Sequence, residues 1–317
     1  MRILKWLLAG IGLILMGGLL LGYTPDTDPA SMRAKYGGGA SRFLTLEPGL
    51  TIHIRDQGPR NADAIVLIHG SNASLHTWEA WVTQLQQDHR IVTLDLPGHG
   101  LTGASPNARY DAQAYVAIVD RVLQSLGVRQ AVIGGNSMGG GVAWNYALAH
   151  PGKLKGLVLI DAAGAPSQKA RHMPIGFRLA RTPGINQLAK IITPRGMFEA
   201  SLKTSVYDPA FATPAMVDRY WELNRYPGNR AATMARFAQA AANQPASAAQ
   251  LAAIKAPVLI LWGEEDNLIP VASARWFHKA LPGSRLIIYP KVGHIPMEEI
   301  AEKSAADFKT WLRDIAD

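Results

Sequence analysis

The stretch Ile133-Gly134-Gly135-Asn136-Ser137-Met138-Gly139-Gly140 decides the fold. Upstream, Gln130-Ala131-Val132-Ile133 is short and β-prone; downstream, Val142-Ala143-Trp144-Asn145-Tyr146-Ala147-Leu148-Ala149 has the pattern of a helix. The G-x-S-x-G core therefore falls at a strand-to-helix turn, an elbow that strains the serine backbone and presents its hydroxyl above the sheet. Gly135 and Gly139 have no Cβ, which allows strand and helix to close in on both sides of Ser137. A glycine-rich turn with an incidental serine is the alternative, because short motifs arise by chance. The rest of the chain has to separate the two.

The chain has 317 residues, 48% of them hydrophobic and 18% charged, enough to bury a large core in one domain carrying an insertion. It contains no cysteine, which excludes disulfides, thiolate metal sites, a cysteine nucleophile and a lipid-modified cysteine anchor. The net charge is +8, but the basic residues are scattered and no nucleic-acid module accompanies them. An anionic membrane surface is the better partner for that charge, and no nucleic acid is expected.

Arg2 and Lys5 precede an uncharged apolar run from Trp6 to Tyr23, close to the ~20 residues that span a bilayer as helix. No small-x-small cleavage site follows, so residues 1–24 are expected to be an uncleaved anchor, with a secreted, signal-cleaved form as the alternative. The charge asymmetry, with Asp26 and Asp28 after the run, orients the N-terminus toward the cytoplasm and the rest outside it, on the periplasmic side in a bacterium. Residues 25–40, ending in Gly37-Gly38-Gly39, are expected to form a flexible linker.

From Phe43 onward the pattern is regular. Phe43 to Leu46 and Leu50 to Arg55 predict a hairpin; Ala64 to Ile68, Arg90 to Leu94, Leu154 to Ile160, Pro257 to Trp262 and Arg285 to Tyr289 predict strands. Helices are predicted over Trp78–Gln87, Asp111–Leu126 and Val271–Ala280, with a closing helix marked by Ile300, Phe308, Leu312 and Ile315. Alternating strands and helices imply an α/β fold, a mostly parallel sheet covered by helices on both faces. Between residues 165 and 250 prolines interrupt helical signals and no strand is evident, which predicts a helical cap inserted into a core of residues 41–164 and 251–317.

A serine hydroxyl is a weak nucleophile near neutral pH and needs a base, itself oriented by a third group. His294, in Val292-Gly293-His294-Ile295-Pro296 between the last strand and the last helix, is the candidate base. Asp266, on the loop after the strand ending at Trp262, is the candidate acid; Asp161, at the end of the preceding strand, is its rival. His69 and His99 are expected to brace turns, as is Asp95. His53 and the remaining histidines have no special context.

The order Ser137, Asp266, His294, each on a loop at the carboxyl end of a strand, resembles the α/β-hydrolase fold over nearly everything from Phe43 onward. The resemblance implies an oxyanion hole of two backbone N–H groups, those of Met138 and Ser71, with Asn72 as fallback donor. Ser71-Asn72-Ala73-Ser74-Leu75-His76-Thr77-Trp78, Leu94 to Gly103 and Gly135 to Gly140 look like bacterial membrane-associated lipases and esterases of the Moraxella and Psychrobacter type. Gly-Asn-Ser-Met-Gly-Gly is also similar to the element of meta-cleavage C–C hydrolases, which usually have a glycine-richer oxyanion loop.

The expected activity is cleavage of carboxylic, lipid-like esters through an acyl-enzyme, with no metal or organic cofactor required. Two alternatives stay open: C–C bond hydrolysis by the same residues, and a slow-turnover binding protein on the hydrolase fold. In the cap, Lys169, Arg171, Arg178, Arg181, Lys190, Arg195 and Lys203 stand against Glu199 and are interleaved with apolar residues, a mixture suited to a membrane interface. Ordinary cap helices with solvated basic groups explain it equally well.

Overall fold

Strand runs with no polar residue to offer to water have to be covered on both faces, and the apolar runs of this chain lie together in the middle of one sheet. The computed structural model describes residues 22–166, 184–240 and 244–316, with His172, Ile175, Arg178 and Thr182. Its eight strands are β1 (Ser41–Glu47), β2 (Leu50–Gln57), β3 (Ala64–Ile68), β4 (Arg90–Leu94), β5 (Ala131–Asn136), β6 (Leu154–Ile160), β7 (Val258–Gly263) and β8 (Arg285–Tyr289). They form one sheet in the order β1-β2-β4-β3-β5-β6-β7-β8. The β1–β2 and β2–β4 pairs are antiparallel and all others parallel. This is the α/β architecture the alternation of strands and helices implies.

Helix α1 spans Pro29–Tyr36, α2 Glu79–Leu85, α3 Ala112–Ser125 and α4 Met138–Ala149. A 3-10 turn, Leu75–Trp78, leads into α2, so the predicted single helix from Trp78 starts as a tighter turn. Asp111 caps α3 by accepting from the Ala114 N–H at 2.9 Å. The face of α3 that carries Tyr115, Ile118, Val119 and Val122 is buried. Between β6 and β7 the described residues contain no strand. They form α5 (Arg195–Ser205), α6 (Pro214–Asn224) and α7 (Asn229–Ala240), with single helical turns at Ile185–Leu188 and Ala248–Leu251. Helices α8 (Ala272–Ala280) and α9 (Ala301–Asp314) complete the layers.

Residues 25–40 depart from the expected flexible linker. Asp28 caps α1 through the Ser31 N–H at 2.7 Å, and the segment is tied to the cap at several points. Thr24 N–H donates to Ile191 O (2.8 Å) and Thr27 N–H to Arg225 O (2.9 Å). Lys35 and Tyr36 both donate to Glu222 at 2.7 Å, and Arg230 to Asp26 at 2.6 Å. The glycines of the stretch suggested freedom, but the partners that hold it lie some two hundred positions away and leave no mark in local composition. The anchor expected at 1–24 lies, up to residue 21, outside the described residues. No described helix is long and apolar enough to cross a membrane.

Candidate active site

The elbow is built as the glycine pattern requires. Ser137 has φ 53° and ψ −117°, a conformation that costs a non-glycine residue free energy and persists only when its surroundings hold it. Both of its backbone groups are held: the N–H donates to Ile160 O at 2.9 Å, and the carbonyl accepts from Gly141 and Ala163 at 3.1 and 2.9 Å. A Cβ on Gly135 would lie 2.3 Å from Gly139 C, one on Gly139 2.2 Å from Ile68 O, and one on Gly140 2.5 Å from Ala162 Cβ. The close approach of β3, β5 and α4 under the serine depends on these glycines.

His294 sits on the loop after β8, buried. Its Nδ1–H donates to Asp266 Oδ2 at 2.7 Å. Asp266, fully buried, accepts at its other oxygen from Leu268 N–H (2.7 Å) and Ile269 N–H (3.0 Å). With Nδ1 committed to a carboxylate, Nε2 keeps its lone pair free, the tautomer a general base needs. Ser137 and His294 line the same cavity, and Gly70, Ser71 and Asn72 line it with them. A Cβ on Gly70 would stand 3.2 Å from Ser137 Cβ, so this loop passes directly over the serine. Among the described residues neither the Ser71 nor the Met138 N–H donates to a protein acceptor. The structure thus brings Ser137, Asp266, His294, Ser71 and Met138 to one place.

Asp161, the rival acid, is there as well, with its Oδ1 accepting from Gly263 N–H at 3.0 Å. Asp161, Asp266 and His294 each place a polar side-chain atom within 4.8 Å of the others. Burial, and then the Asp266 charge, push the Asp161 carboxyl far above the ordinary carboxylate range.

Two positioning residues carry no signal in the sequence. Asn136 Nδ2 donates to His294 O (2.9 Å) and to Ile160 O (3.2 Å), so the residue preceding the serine fixes the histidine loop. Glu299 accepts from Gly293 N–H and Tyr207 N–H, both at 2.8 Å, clamping the same loop to the cap. His294 N–H itself donates to Ser205 O at the end of α5 (2.7 Å). Across the cavity, Asn72, at φ 60°, accepts at Oδ1 from Thr233 (3.3 Å) and Arg236 (3.2 Å) of α7. The cap therefore braces both loops that face Ser137.

The turn-bracing expectations hold. His69 Nδ1 donates to Gly70 O (2.7 Å) and its Nε2 accepts from Leu96 N–H (3.0 Å). His99 donates to Pro97 O at 3.2 Å. Burial pushes both rings below the usual histidine range, keeping them neutral. Asp95 accepts from the N–H groups of Leu75 (2.7 Å) and Leu101 (2.8 Å). It also accepts from His53 Nδ1 at 2.6 Å, and His53 Nε2 meets Ser41 Oγ at 2.7 Å. His53, which has no context in the sequence, so completes a second Ser-His-Asp chain. This one serves the hairpin: Ser41 is on a regular strand, its Oγ is engaged by Gly37 O and Arg55 Nε, and none of the three lines the cavity.

The cavity at Ser137 measures about 290 Å³ and is mostly apolar, with Ile192, Met197, Phe198, Leu202 and Phe237 among its walls. That is near the lower end of the ~300–1,000 Å³ range of small-ligand sites.

Residues 63–300 match the model of a family described as the alpha/beta hydrolase fold. The chain is 26% identical over 271 residues to Lipase 1 of Psychrobacter immobilis, covering 85% of this chain and 83% of that one. It is 27% identical over 277 residues to a 2-hydroxy-6-oxononadienedioate/2-hydroxy-6-oxononatrienedioate hydrolase of Cupriavidus pinatubonensis, covering 84% and 92%. Among solved structures, a bacterial membrane phospholipase A described as a virulence factor superposes with a TM-score of 0.77 at 26% identity, covering 99% of both chains. A meta-cleavage product hydrolase from Pseudomonas fluorescens gives 0.74 at 21% identity, covering 87% and 98%, a likeness of fold.

Proposed function

The chain belongs to the alpha/beta hydrolase fold family, and from that premise we propose that it is a serine hydrolase that cleaves carboxylic esters through an acyl-enzyme. The observation that carries the reading is the convergence of Ser137, His294 held on Asp266, and the Gly70–Ser71 loop on one apolar cavity. Ser137 Oγ attacks the ester carbonyl while His294 Nε2 takes its proton. The tetrahedral oxyanion faces the N–H groups of Ser71 and Met138, donors worth about 3 kcal/mol each in sites of this kind. His294 then gives the proton to the departing alkoxide, which leaves as the alcohol. Water enters, His294 removes its proton, and the hydroxide displaces the acyl group as a carboxylic acid, restoring Ser137.

In this reading the core is residues 41–164 and 251–317, the cap is 165–250, and Trp6 to Tyr23 tethers the enzyme at a membrane with its active site outside the cytoplasm. The full-length superposition on a membrane phospholipase A supports the membrane setting. A second reading, C–C hydrolysis of a vinylogous diketone, is favoured by the Cupriavidus relative and needs the same residues.

The test is steady-state turnover of a p-nitrophenyl ester series from acetate to palmitate, with Ser137→Ala as control. Sustained turnover lost at least ~10³-fold in the variant is expected, with an optimum at short to medium acyl chains because the cavity is small. No turnover above Ser137→Ala would overturn ester hydrolysis in favour of C–C cleavage. A burst without sustained turnover would favour a binding role.

A further inference from the structure

Asp161 is an expensive residue for the fold to keep. It is a non-glycine residue at φ 44°, fully buried at the end of β6. Its Oδ2 has no donor among the described residues and its neighbour is a second buried carboxyl, Asp266. Two buried carboxyls with oxygens within 4.8 Å of each other repel as anions, which favours one shared proton over two charges. Asp266 is the one committed to charge: it accepts from two backbone N–H groups and from His294. Asp161 has a single donor, Gly263 N–H, which leaves Oδ2 to carry the proton.

We propose that Asp161 and Asp266 form a one-proton dyad in which neutral Asp161 donates its O–H to the Asp266 carboxylate and holds it on His294 Nδ1. Asp161 is then a positioning residue acting through Asp266, and a reserve acid: with Asp266 gone, Asp161 releases its proton to solvent and the negative charge beside His294 survives. Three further groups surround the pair. His294 touches Asp266; the Glu299 charge opposes ionisation of Asp161; and Tyr289 lies within the field of Asp161. A lone neutral carboxyl here would be a burial cost without return. Placed against the acid that orients a base, it supplies a hydrogen bond that Asn can imitate and Ala cannot.

The proposal rests on the serine-hydrolase reading for its kinetic consequences, so its first test is independent of activity. The infrared difference spectrum of wild type minus Asp161→Asn at pH 7 is expected to show the C=O stretch of a protonated carboxylic acid; its absence overturns the dyad. Asn tolerates positive φ and keeps an N–H to donate, so Asp161→Asn is expected to keep kcat/KM within about threefold of wild type. A loss above about 100-fold at unchanged Tm would make Asp161 the ionised partner and overturn the assignment. Asp161→Ala, which removes the donor, should lower kcat by about tenfold with KM unchanged and shift the downfield proton resonance of His294 Nδ1–H. Asp266→Ala is expected to lose about 10²-fold, less than the ~10⁴-fold cost of losing an orienting acid elsewhere. Adding Asp161→Asn to it should remove the remainder; no further loss in the double variant sinks the reserve role. Should no ester be turned over by wild type, the infrared band still decides the dyad.

Discussion

At the scale of single residues, the elbow is a problem of missing atoms. Ser137 is held at φ 53° because the three glycines after and before it let main chains meet at distances no Cβ would permit. Gly139→Ala would push a methyl to 2.2 Å from Ile68 O, a backbone atom that cannot move away. Its expected cost is about 3 kcal/mol or more, at the upper end for overpacking, read as a lowered denaturation midpoint or failure to fold. Gly141→Ala is the control: its Cβ meets nothing closer than 3.4 Å, and helix propensity favours Ala by about 1 kcal/mol. Equal stability of the two variants would refute the close-approach account. The glycines, the serine, His294 and Asp266 were legible because motif spacing and position at strand ends mark them. Asn136 and Glu299 were not, since each acts through a hydrogen bond to a loop that only the folded chain brings near.

Among elements, the segment of residues 24–38 and the cap form one assembly. Arg230 of α7 lines the cavity and donates to Thr24 O, Thr193 Oγ1 and Asp26, so the strap and the cavity wall share a side chain. Arg230→Met is expected to cost about 1–3 kcal/mol, the scale of charge-assisted hydrogen bonds, reduced here because Asp26 is half exposed. Limited proteolysis should show new cleavage between residues 24 and 38, and KM for esters should rise; an unchanged digestion pattern would refute the clasp. The cap's basic excess is also moderated in the fold. Arg195 pairs with Asp218 at 2.6 Å and Lys203 with Glu199 at 2.6 Å. Lys169, Arg171 and Arg181 lie outside the described residues. Ile175, Leu188 and Tyr207 are exposed apolar side chains between β6 and β7.

For the molecule as a whole, two buried aspartates pull the pH dependence of stability in opposite directions. Burial opposes the Asp95 charge, but the His53 ring hydrogen-bonded to it holds its carboxyl well below the usual range. A folded pKa below the unfolded value of ~3.9 contributes stability that is full above that value and lost as pH falls through the folded one. Asp161 has the other sign: its folded pKa is raised, so the folded state loses stability as pH climbs above ~3.9. Asp95→Asn should therefore flatten the acid limb of a Tm-against-pH curve and lower Tm near neutrality, whereas Asp161→Asn should raise Tm near neutrality. Parallel curves for wild type and Asp95→Asn between pH 3 and 6 would contradict the assignment. The sequence alone determined the alternation of strands and helices, the strand-to-helix elbow and the cap as an insertion, because hydrophobic period and glycine placement are local properties of a chain. Tertiary structure alone decided that residues 25–40 are a docked strap, that Ser41, His53 and Asp95 form a bracing hydrogen-bonded chain, and that Asp161 lies beside Asp266. Those facts are contacts between positions far apart in sequence, and burial gives them their energy only once the sheet has brought β2, β4, β6 and β7 together.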